Sequence, residues 1–515
     1  MNTTSMTLKR PLCTFLLPIL VCSLSLNAYD CCGDAVKEIL LRQCEHKVTL
    51  KQAHMGSLEI DTLLLDSFGA PPENIRQFYL ESRAALEADK NGTFTLPEVL
   101  KAAQKNDIDL MGGPILGDIT AESVVVWLRP ATNGPIEIDV TNRKSKYTQQ
   151  FTAESVQEGV ELRITLDGLF PDNCYDYVVK SDEKELAKGS FTTALRAYDK
   201  GITRIVFGSD FHKIGVHNPQ LLQQMLKREP LALLIIGDNT VDDRKRDMNM
   251  HRADYLLRDV SQPWSVFAAN VPVYATWDDH DYYNNDVSGI VGNRFTESDR
   301  KAVRKVWHQN WNNPIREDGP DGIYFNTRIG PVEIFMLDTR SYRENERRGE
   351  YTSYLGKTQQ EWLKQRLKAS TAPYKILSSG TMWSDYVTDG KDSWGTWDTE
   401  AREEIFQFIE DEAINGVLLI SGDRHGARGF TIPRPSGFKF YEFECGTLGG
   451  VPGPSGIVKG CEEQLFGYNG HDTVAFGEFV FNTELDEPTV TFRLIRESGE
   501  LMEEHVLNDS QLSTK

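Results

Sequence analysis

The period of the apolar positions changes twice along the chain. From residue 30 to about 108 they recur at helical spacing, with Val36, Ile39, Leu40 and Leu41 followed by Ile75, Phe78, Tyr79 and Leu86, the pattern of helices that bury one face. From Leu110 to about Ala197 the runs are short and alternating or wholly apolar, as in Ser123–Leu128, Ile136–Val140 and Tyr175–Val179. Turn residues separate them at the intervals of a β-sandwich. Beyond Lys200, wholly apolar runs alternate with helical stretches such as Arg300–Trp311 and Gln359–Leu367, the reading of parallel strands covered on both faces. At the start of the chain, Lys9 and Arg10 precede an apolar-biased run from Pro11 to Leu26, and the small residue Ala28 follows. That run is shorter than the about 20 residues a membrane span needs, so residues 1–28 are expected to be a secretory signal peptide. The expected divisions are then 29–108 (helical), 109–197 (sandwich) and 198–515 (α/β).

In the third region the apolar runs end in acidic turns. Ile205–Phe207 leads to Asp210, Leu233–Ile236 to Asp238, Val273–Thr276 to Asp278, Ile334–Leu337 to Asp338 and Val417–Ile420 to Asp423. A single Asp after a strand is ordinarily a turn residue or a helix cap. Repeated at successive strand ends, such residues make the rim on which α/β enzymes carry their sites. Four clusters hold the chemistry: Gly208-Ser209-Asp210-Phe211-His212, Gly237-Asp238-Asn239, Trp277-Asp278-Asp279-His280-Asp281 and Gly422-Asp423-Arg424-His425-Gly426. They offer nitrogen and oxygen ligands without sulfur, a set that suits hard or borderline cations. Two adjacent cations can polarise a phosphoryl oxygen and ionise a water near neutral pH.

Charge and cysteine content narrow the partners. With 76 Asp and Glu against 56 Lys and Arg, the formal charge is −20, so binding to a nucleic-acid scaffold by phosphate neutralisation is not expected. Any phosphate must be held locally. Of eight cysteines, Cys13 and Cys22 fall in the signal segment, and an even remainder in an exported chain suggests disulfides. Local pairing would join Cys31 to Cys44 and Cys445 to Cys461. Within the helical region, Asp89 to Glu98 resembles an EF-hand loop but is short of the twelve residues of a full one and lacks its central glycine and acidic residue. A helix-turn-helix with Asp89 and Asn91 as turn residues is the preferred reading.

The ordered clusters resemble the calcineurin-like metallophosphoesterase superfamily and, within it, the alkaline phosphatase D (PhoD-like) family. The most specific pieces are Trp277–Asp281 with Asn285-Asp286, and Leu337-Asp338-Thr339-Arg340 with Tyr342-Arg343. The resemblance covers about residues 110–495 and leaves the helical region outside. Leu169-Phe170-Pro171, followed by Tyr175 and Tyr177, resembles the turn and buried tyrosines of fibronectin type III-like domains. The implied fold is an α/β metallophosphoesterase core, a β-sandwich flanked by helices (αββα). A fibronectin type III-like sandwich and a small helical N-terminal segment precede it.

Carried over by position, the resemblance implies that Asp210 and His212 bind a first metal ion, Asp238 bridges and His425 completes the first site, while Asp279 and Asp423 bind a second ion. It makes His280 the general acid, Arg340 the residue that compensates phosphate charge, and Asn239 a second-site ligand or phosphate contact. The alternatives are a His280 bonded within its loop, and an Arg340 paired with Asp338 or another carboxylate. Two positions depart from the family pattern: Asp210 stands where Cys is frequent, and Val241 where Tyr is found. The superfamily's further metal-binding histidine is also missing from Ser379–Trp383. An oxygen-rich pair of sites favours calcium, magnesium or manganese over iron or zinc.

The expected protein is thus a secreted or periplasmic metal-dependent phosphoesterase, without a transmembrane helix in its mature form. It would hydrolyse phosphomonoesters, phosphodiesters or both by attack of a metal-bound hydroxide at a two-metal centre. Ser209 lacks an evident activating base, which argues against a covalent phosphoserine route. The substrate would be a small-molecule or lipid phosphate ester. Two alternatives are a phospholipase D-like diesterase, in which Trp264, Trp383, Trp394 and Trp397 would line an apolar site although such aromatics are more often core, and a degenerate surface binding protein without turnover. Residues 383–398 and 445–472, rich in Gly, Pro and Trp, are the expected specificity loops.

Overall fold

In the computed structural model, residues 31–90, 92–292, 294–315 and 322–514 are described. The signal-peptide segment and Asn91 of the EF-hand-like loop lie outside them. Seven strands occupy residues 110–192: β1 (Leu110–Gly117), β2 (Val124–Pro130), β3 (Gly134–Asn142), β4 (Thr148–Ser155), β5 (Leu162–Leu166), β6 (Cys174–Ser181) and β7 (Lys184–Thr192). They form a three-stranded sheet, β1-β2-β5, and a four-stranded sheet, β4-β3-β6-β7. Along β3, Ile136, Ile138 and Val140 are buried while Glu137, Asp139 and Thr141 between them are not, the two-residue period of a strand covered on one face.

Thirteen more strands build the larger part: β8 (Ile202–Gly208), β9 (Ala232–Ile236), β10 (Val273–Thr276), β11 (Phe325–Ile329), β12 (Val332–Met336), β13 (Tyr374–Ser379), β14 (Val417–Ser421), β15 (Gly426–Pro433), β16 (Lys439–Cys445), β17 (Gln464–Asn469), β18 (Ala475–Asn482), β19 (Thr489–Arg496) and β20 (Leu501–Asn508). One sheet runs β10-β9-β8-β18-β19-β20 and the other β11-β12-β13-β14-β16-β15-β17. A shared core in which Phe207, Leu234 and Phe479 of the first sheet meet Ile376, Leu418 and Phe443 of the second lies between them. Helix Pro219–Leu226 covers the outer face of the first sheet through Leu221, Leu222 and Met225. Helices Gly356–Ala369 and Thr399–Asp411 cover the second through Leu363, Leu367, Ile405 and Phe406. The order is helix, sheet, sheet, helix, as expected. β8, β9 and β10 are parallel, as are β12, β13, β14 and β16. Burial on both faces explains why the predicted runs among them, in β8, β9, β10, β12 and β14, are apolar without alternation.

The helical region consists of Gly33–Glu38, Leu50–Ala53, Leu58–Leu65, Glu73–Ala88 and Pro97–Lys105. Phe78, Tyr79 and Leu86 share a core with Met250, Leu256 and Leu257 of helix Met248–Asp259. Leu40 and Leu41, read from periodicity as part of a buried face, are about half exposed, because the first helix ends before Ile39.

Two further expectations are corrected. Cys31 pairs with Cys174 at the start of β6, 143 positions away, while Cys44, Cys445 and Cys461 are not in disulfides. Nearness in sequence was a poor guide because Cys445 is enclosed at the end of β16, where its Sγ faces Gly477 of β18. Trp264, Trp383, Trp394 and Trp397 are all buried in the core, the reading preferred for them over an apolar lining.

Candidate metal centre

Asp210, Asp238, Asp278, Asp338 and Asp423 each stand two residues beyond the end of a strand, respectively β8, β9, β10, β12 and β14. Parallel strands bring those ends to one edge of the sheets, so carboxylates far apart in sequence converge. The turns are sharp. Asp210, His212, Asp238, Asp423 and His425 all have left-handed backbone, with φ of 60°, 45°, 48°, 72° and 42°, a conformation that non-glycine residues hold only where surrounding structure enforces it. Gly237, at φ 92°, permits the close approach of two of these turns, since a Cβ there would lie 2.5 Å from Cβ of Asp278.

One cluster joins Asp210, His212, Asp238 and His425, whose ligand atoms lie within 4.8 Å of one another. The tautomers follow from the partners. His212 Nδ1 lies 2.8 Å from the Asp242 carboxylate and His425 Nδ1 lies 2.6 Å from the carbonyl of Pro452. Both partners only accept, so each Nδ1 carries a proton and each Nε2 is the ring nitrogen turned toward the centre. His212 Nε2 and Asp238 Oδ1 are buried with no hydrogen-bond partner. His425 Nε2 lies 3.2 Å from Asp210 Oδ1, and this carboxylate raises the pKa of the histidine. This is the arrangement of a cation site whose histidines are oriented by outer acceptors.

A second cluster joins Asp278, Asp279 and Asp423, and a third combination joins Asp238, Asp279 and His280. Asp238 therefore belongs to both sides. Asn239 donates through Nδ2 to the carbonyl of Thr276 at 2.9 Å and to Asp281 at 3.0 Å, which leaves its Oδ1 buried and without a partner. Asp279 Oδ1 is likewise without a hydrogen bond. Burial, reinforced by neighbouring carboxylates, pushes Asp238 and Asp423 well above the usual carboxylate range, against the pull of His280 on the one and of Arg424 and Arg340 on the other. Asp279 is held down at about 2, burial being outweighed by Arg340 and His280. The pocket holds more negative charge than the chain's own cations neutralise, and the residues present fit bound cations.

Arg340 is wholly buried. It forms a two-pronged pair with Asp278, and its Nη2 also lies 3.0 Å from Asp392, 3.3 Å from Asp423 and 3.7 Å from Asp279. Its Nη1 has no hydrogen-bond partner. Asp338 instead organises the turn, accepting from Trp277 Nε1 at 2.8 Å and from the backbone amide of Ser341 at 2.9 Å. The end of β13, where a further histidine was sought, is closed by this pair. A Cβ on Gly380 would lie 2.6 Å from Asp278 Oδ1 and 2.7 Å from Thr339 Oγ1.

His280 Nδ1 lies 2.7 Å from Asp243, which also accepts from the amide of Asn285 at 2.9 Å. Burial opposes a charge on His280, but Asp279, Asp238 and Asp243 together raise its pKa well above the ordinary value. His425 is raised to about 9, Asp210 overcoming the effect of burial. All the residues singled out from sequence are thus brought to one edge of the sheets.

Sequence reasoning missed Asp242 and Asp243, which orient His212 and His280, as well as Asp392, and named Arg424 in its cluster without giving it a role. Arg424 donates to Asp423 at 2.9 Å and to Thr388 at 3.2 Å. The doublet Asp242-Asp243, four residues beyond Asp238, was the available signal. His54, whose ring lies 4.4 Å from that of His280, gave no signal at all.

Comparison with known proteins finds phosphatases of the same fold. Residues 235–471 match the model of the PhoD-like phosphatase family, a span that holds Asp238, Asp279, His280, Arg340, Asp423 and His425 and begins after Asp210 and His212. Alkaline phosphatase D of Bacillus subtilis (strain 168) is 23% identical over 377 residues, which cover 61% of this chain and 64% of that protein. The chain thus matches just under two thirds of that relative's length. A solved structure of PhoD superposes with a TM-score of 0.62 at 18% identity, covering 77% of this chain and 88% of the other. A purple acid phosphatase from yellow lupin (Lupinus luteus) seeds shares the fold with a TM-score of 0.57 at 10% identity, over 77% of this chain and 74% of its own. Residues 235–471 thus resemble the PhoD-like phosphatase family, and the solved structures share the fold around them.

Proposed function

We propose that this protein is an exported, metal-dependent phosphoesterase that hydrolyses phosphomonoesters, phosphodiesters or both at a centre for two cations. One observation carries the reading. Ligand atoms of Asp210, His212, Asp238 and His425 converge beside those of Asp279 and Asp423, and several of them are buried without a hydrogen bond. An unsatisfied buried polar group costs about 1–3 kcal/mol, which coordination offsets. In this assignment Asp210, His212 and His425 hold the first ion, Asp279 and Asp423 with Asn239 the second, and Asp238 both. Calcium, magnesium and manganese suit the oxygen-rich set best. When bound, such ions supply Lewis acidity at a phosphoryl oxygen and lower the pKa of a water.

The chain's own residues supply orientation and proton transfer. Asp242 and the Pro452 carbonyl fix His212 and His425 with Nε2 toward the centre. Asp243 fixes His280 through Nδ1, so Nε2 is the atom that carries a proton to the leaving oxygen. Arg340 neutralises Asp278 and has Nη1 left for a phosphoryl oxygen. The pattern Lys9–Ala28 and the Cys31–Cys174 disulfide both suit an oxidising compartment. Among the described residues no helix is long and apolar enough to cross a membrane. The seven strands of residues 110–192 are read as a fibronectin type III-like sandwich.

The test is reconstitution. Protein stripped with chelator and resupplied with single ions is expected to regain hydrolysis of p-nitrophenyl phosphate, of bis-p-nitrophenyl phosphate, or of both. Failure with every ion would leave a binding protein without turnover.

A further inference from the structure

Among the described residues, His54 of the helical region reaches the centre. His54 follows helix Leu50–Ala53, and its ring stacks on that of His280, with centroids 4.4 Å apart and planes 26° from parallel. Its nitrogens face the two carboxylates that orient the centre's histidines. Nε2 lies 3.8 Å from Asp242 Oδ1, and Nδ1 lies 3.6 Å from Asp243 Oδ2. His54 therefore stands between the His212–Asp242 and His280–Asp243 pairs, with 21% of its side chain exposed.

A buried ion network holds it there. Asp61 of helix Leu58–Leu65 accepts from Arg83 at 2.8 Å, Lys213 at 3.0 Å and Arg244 at 3.0 Å. Arg83 and Arg244 also donate to the carbonyl of Gly56, two residues after His54, at 3.0 and 2.7 Å. Lys213 directly follows His212, and Arg244 directly follows Asp243. The helical region is thus fastened to the same two loops whose side chains His54 touches.

A histidine ring turns in a broad torsional well about its second side-chain bond, so one hydrogen bond at Nδ1 leaves it room to tilt. We infer that His54 is a positioning residue for His280: as a wall against one face of the ring, beside Asp243, it sets the direction in which Nε2 presents its proton to the leaving oxygen. This rests on the phosphoesterase reading above and extends it, since it makes leaving-group protonation depend on a segment outside the matched family domain.

The test uses the full-length, ion-reconstituted protein and two variants, His54→Ala, which removes the wall, and His54→Phe, which keeps it. Substrates are p-nitrophenyl phosphate, whose leaving group needs little help, and an alkyl phosphate, whose leaving group needs a proton. His54→Ala is expected to lose about 10-fold or more kcat on the alkyl ester than it loses on p-nitrophenyl phosphate, with His54→Phe recovering most of the difference. Equal losses on both substrates, or none on either, would overturn the inference. Where the alanine variant does not fold, His54→Asn replaces it. If wild-type protein turns over neither substrate with any ion, the phosphoesterase reading is what has failed. Positioning is then read from hydrogen exchange of the His280 ring N–H in protein labelled with nitrogen-15 histidine, the signal being assigned by its loss in His280→Gln. Faster exchange in His54→Ala, restored in His54→Phe, supports the inference, and unchanged exchange in His54→Ala overturns it.

Discussion

The four-residue cluster that includes Asp238 and the carboxylate cluster beside it solve the same electrostatic problem in different ways. On one side, two imidazoles join two carboxylates, and Asp210 is held below its usual pKa because His425, His212 and the Ser209 hydroxyl outweigh burial. On the other side three carboxylates gather, Asp278, Asp279 and Asp423, and the guanidinium of Arg340 stands against all three. On the first side an external cation would take the place of protons on the imidazole Nε2 atoms. The second already carries an internal one. A cation bound on the Arg340 side shares its carboxylates with that guanidinium, and like charges at such separations repel appreciably in a buried site. The first site is therefore expected to be the tighter, and the second the one to empty first under mild chelation.

The largest effect is expected at Asp238, the residue proposed to hold both ions. Asp238→Asn keeps the shape of the side chain but removes the charge that two cations would share, and is expected to abolish paired occupancy and lower kcat by about 1000-fold or more. Elemental analysis alongside kinetics checks this. If the variant still holds two ions per chain, Asp238 does not bridge.

Next in size is Arg340. Arg340→Gln removes the internal counter-charge, so the second cation is expected to bind more tightly while kcat falls by about 100-fold through loss of the donor at the phosphoryl group. The opposite directions separate this role from simple structural damage. Weaker binding of the second ion, measured by cation titration of stripped protein, would show that the guanidinium does not compete with it.

How far the sequence foretold this centre depended on the range of each interaction. Asp210, Asp238, Asp279, Asp423 and their histidines were legible because each lies in a short turn immediately after an apolar run, so motif and strand are read together. The antiparallel addition of β18 beside β8 had no such local signal, since nothing near residue 475 says which strand it will join. The same limit applies to side chains. Arg340 was visible as a candidate, but its partner Asp278 is 62 positions away, and the pair forms only when β10 and β12 bring their ends together. Periodicity found the helical region without indicating that His54 would reach a histidine more than two hundred residues later in the chain.

The smallest effect tests the first cluster alone. Asp242 contributes no ligand atom to the four-residue group. It accepts from His212 Nδ1 at 2.8 Å and from the Lys213 amide at 3.2 Å, and so determines which nitrogen of His212 faces the centre. Asp242→Asn can still accept through its oxygen but loses the charge that keeps Nδ1–H the favoured tautomer. Removing an outer partner of this kind typically costs about 10–100-fold in metal affinity. Tighter binding at the first site than at the second gives the prediction its sharp form: in stripped and titrated Asp242→Asn protein, the higher-affinity transition weakens by that factor while the lower-affinity one stays where it was. If both transitions move together, the two clusters are not the separable sites that their different chemistry implies. If only the weaker one moves, the order of affinities is reversed, and Arg340 attracts the second ion's ligands into place more than it repels the ion.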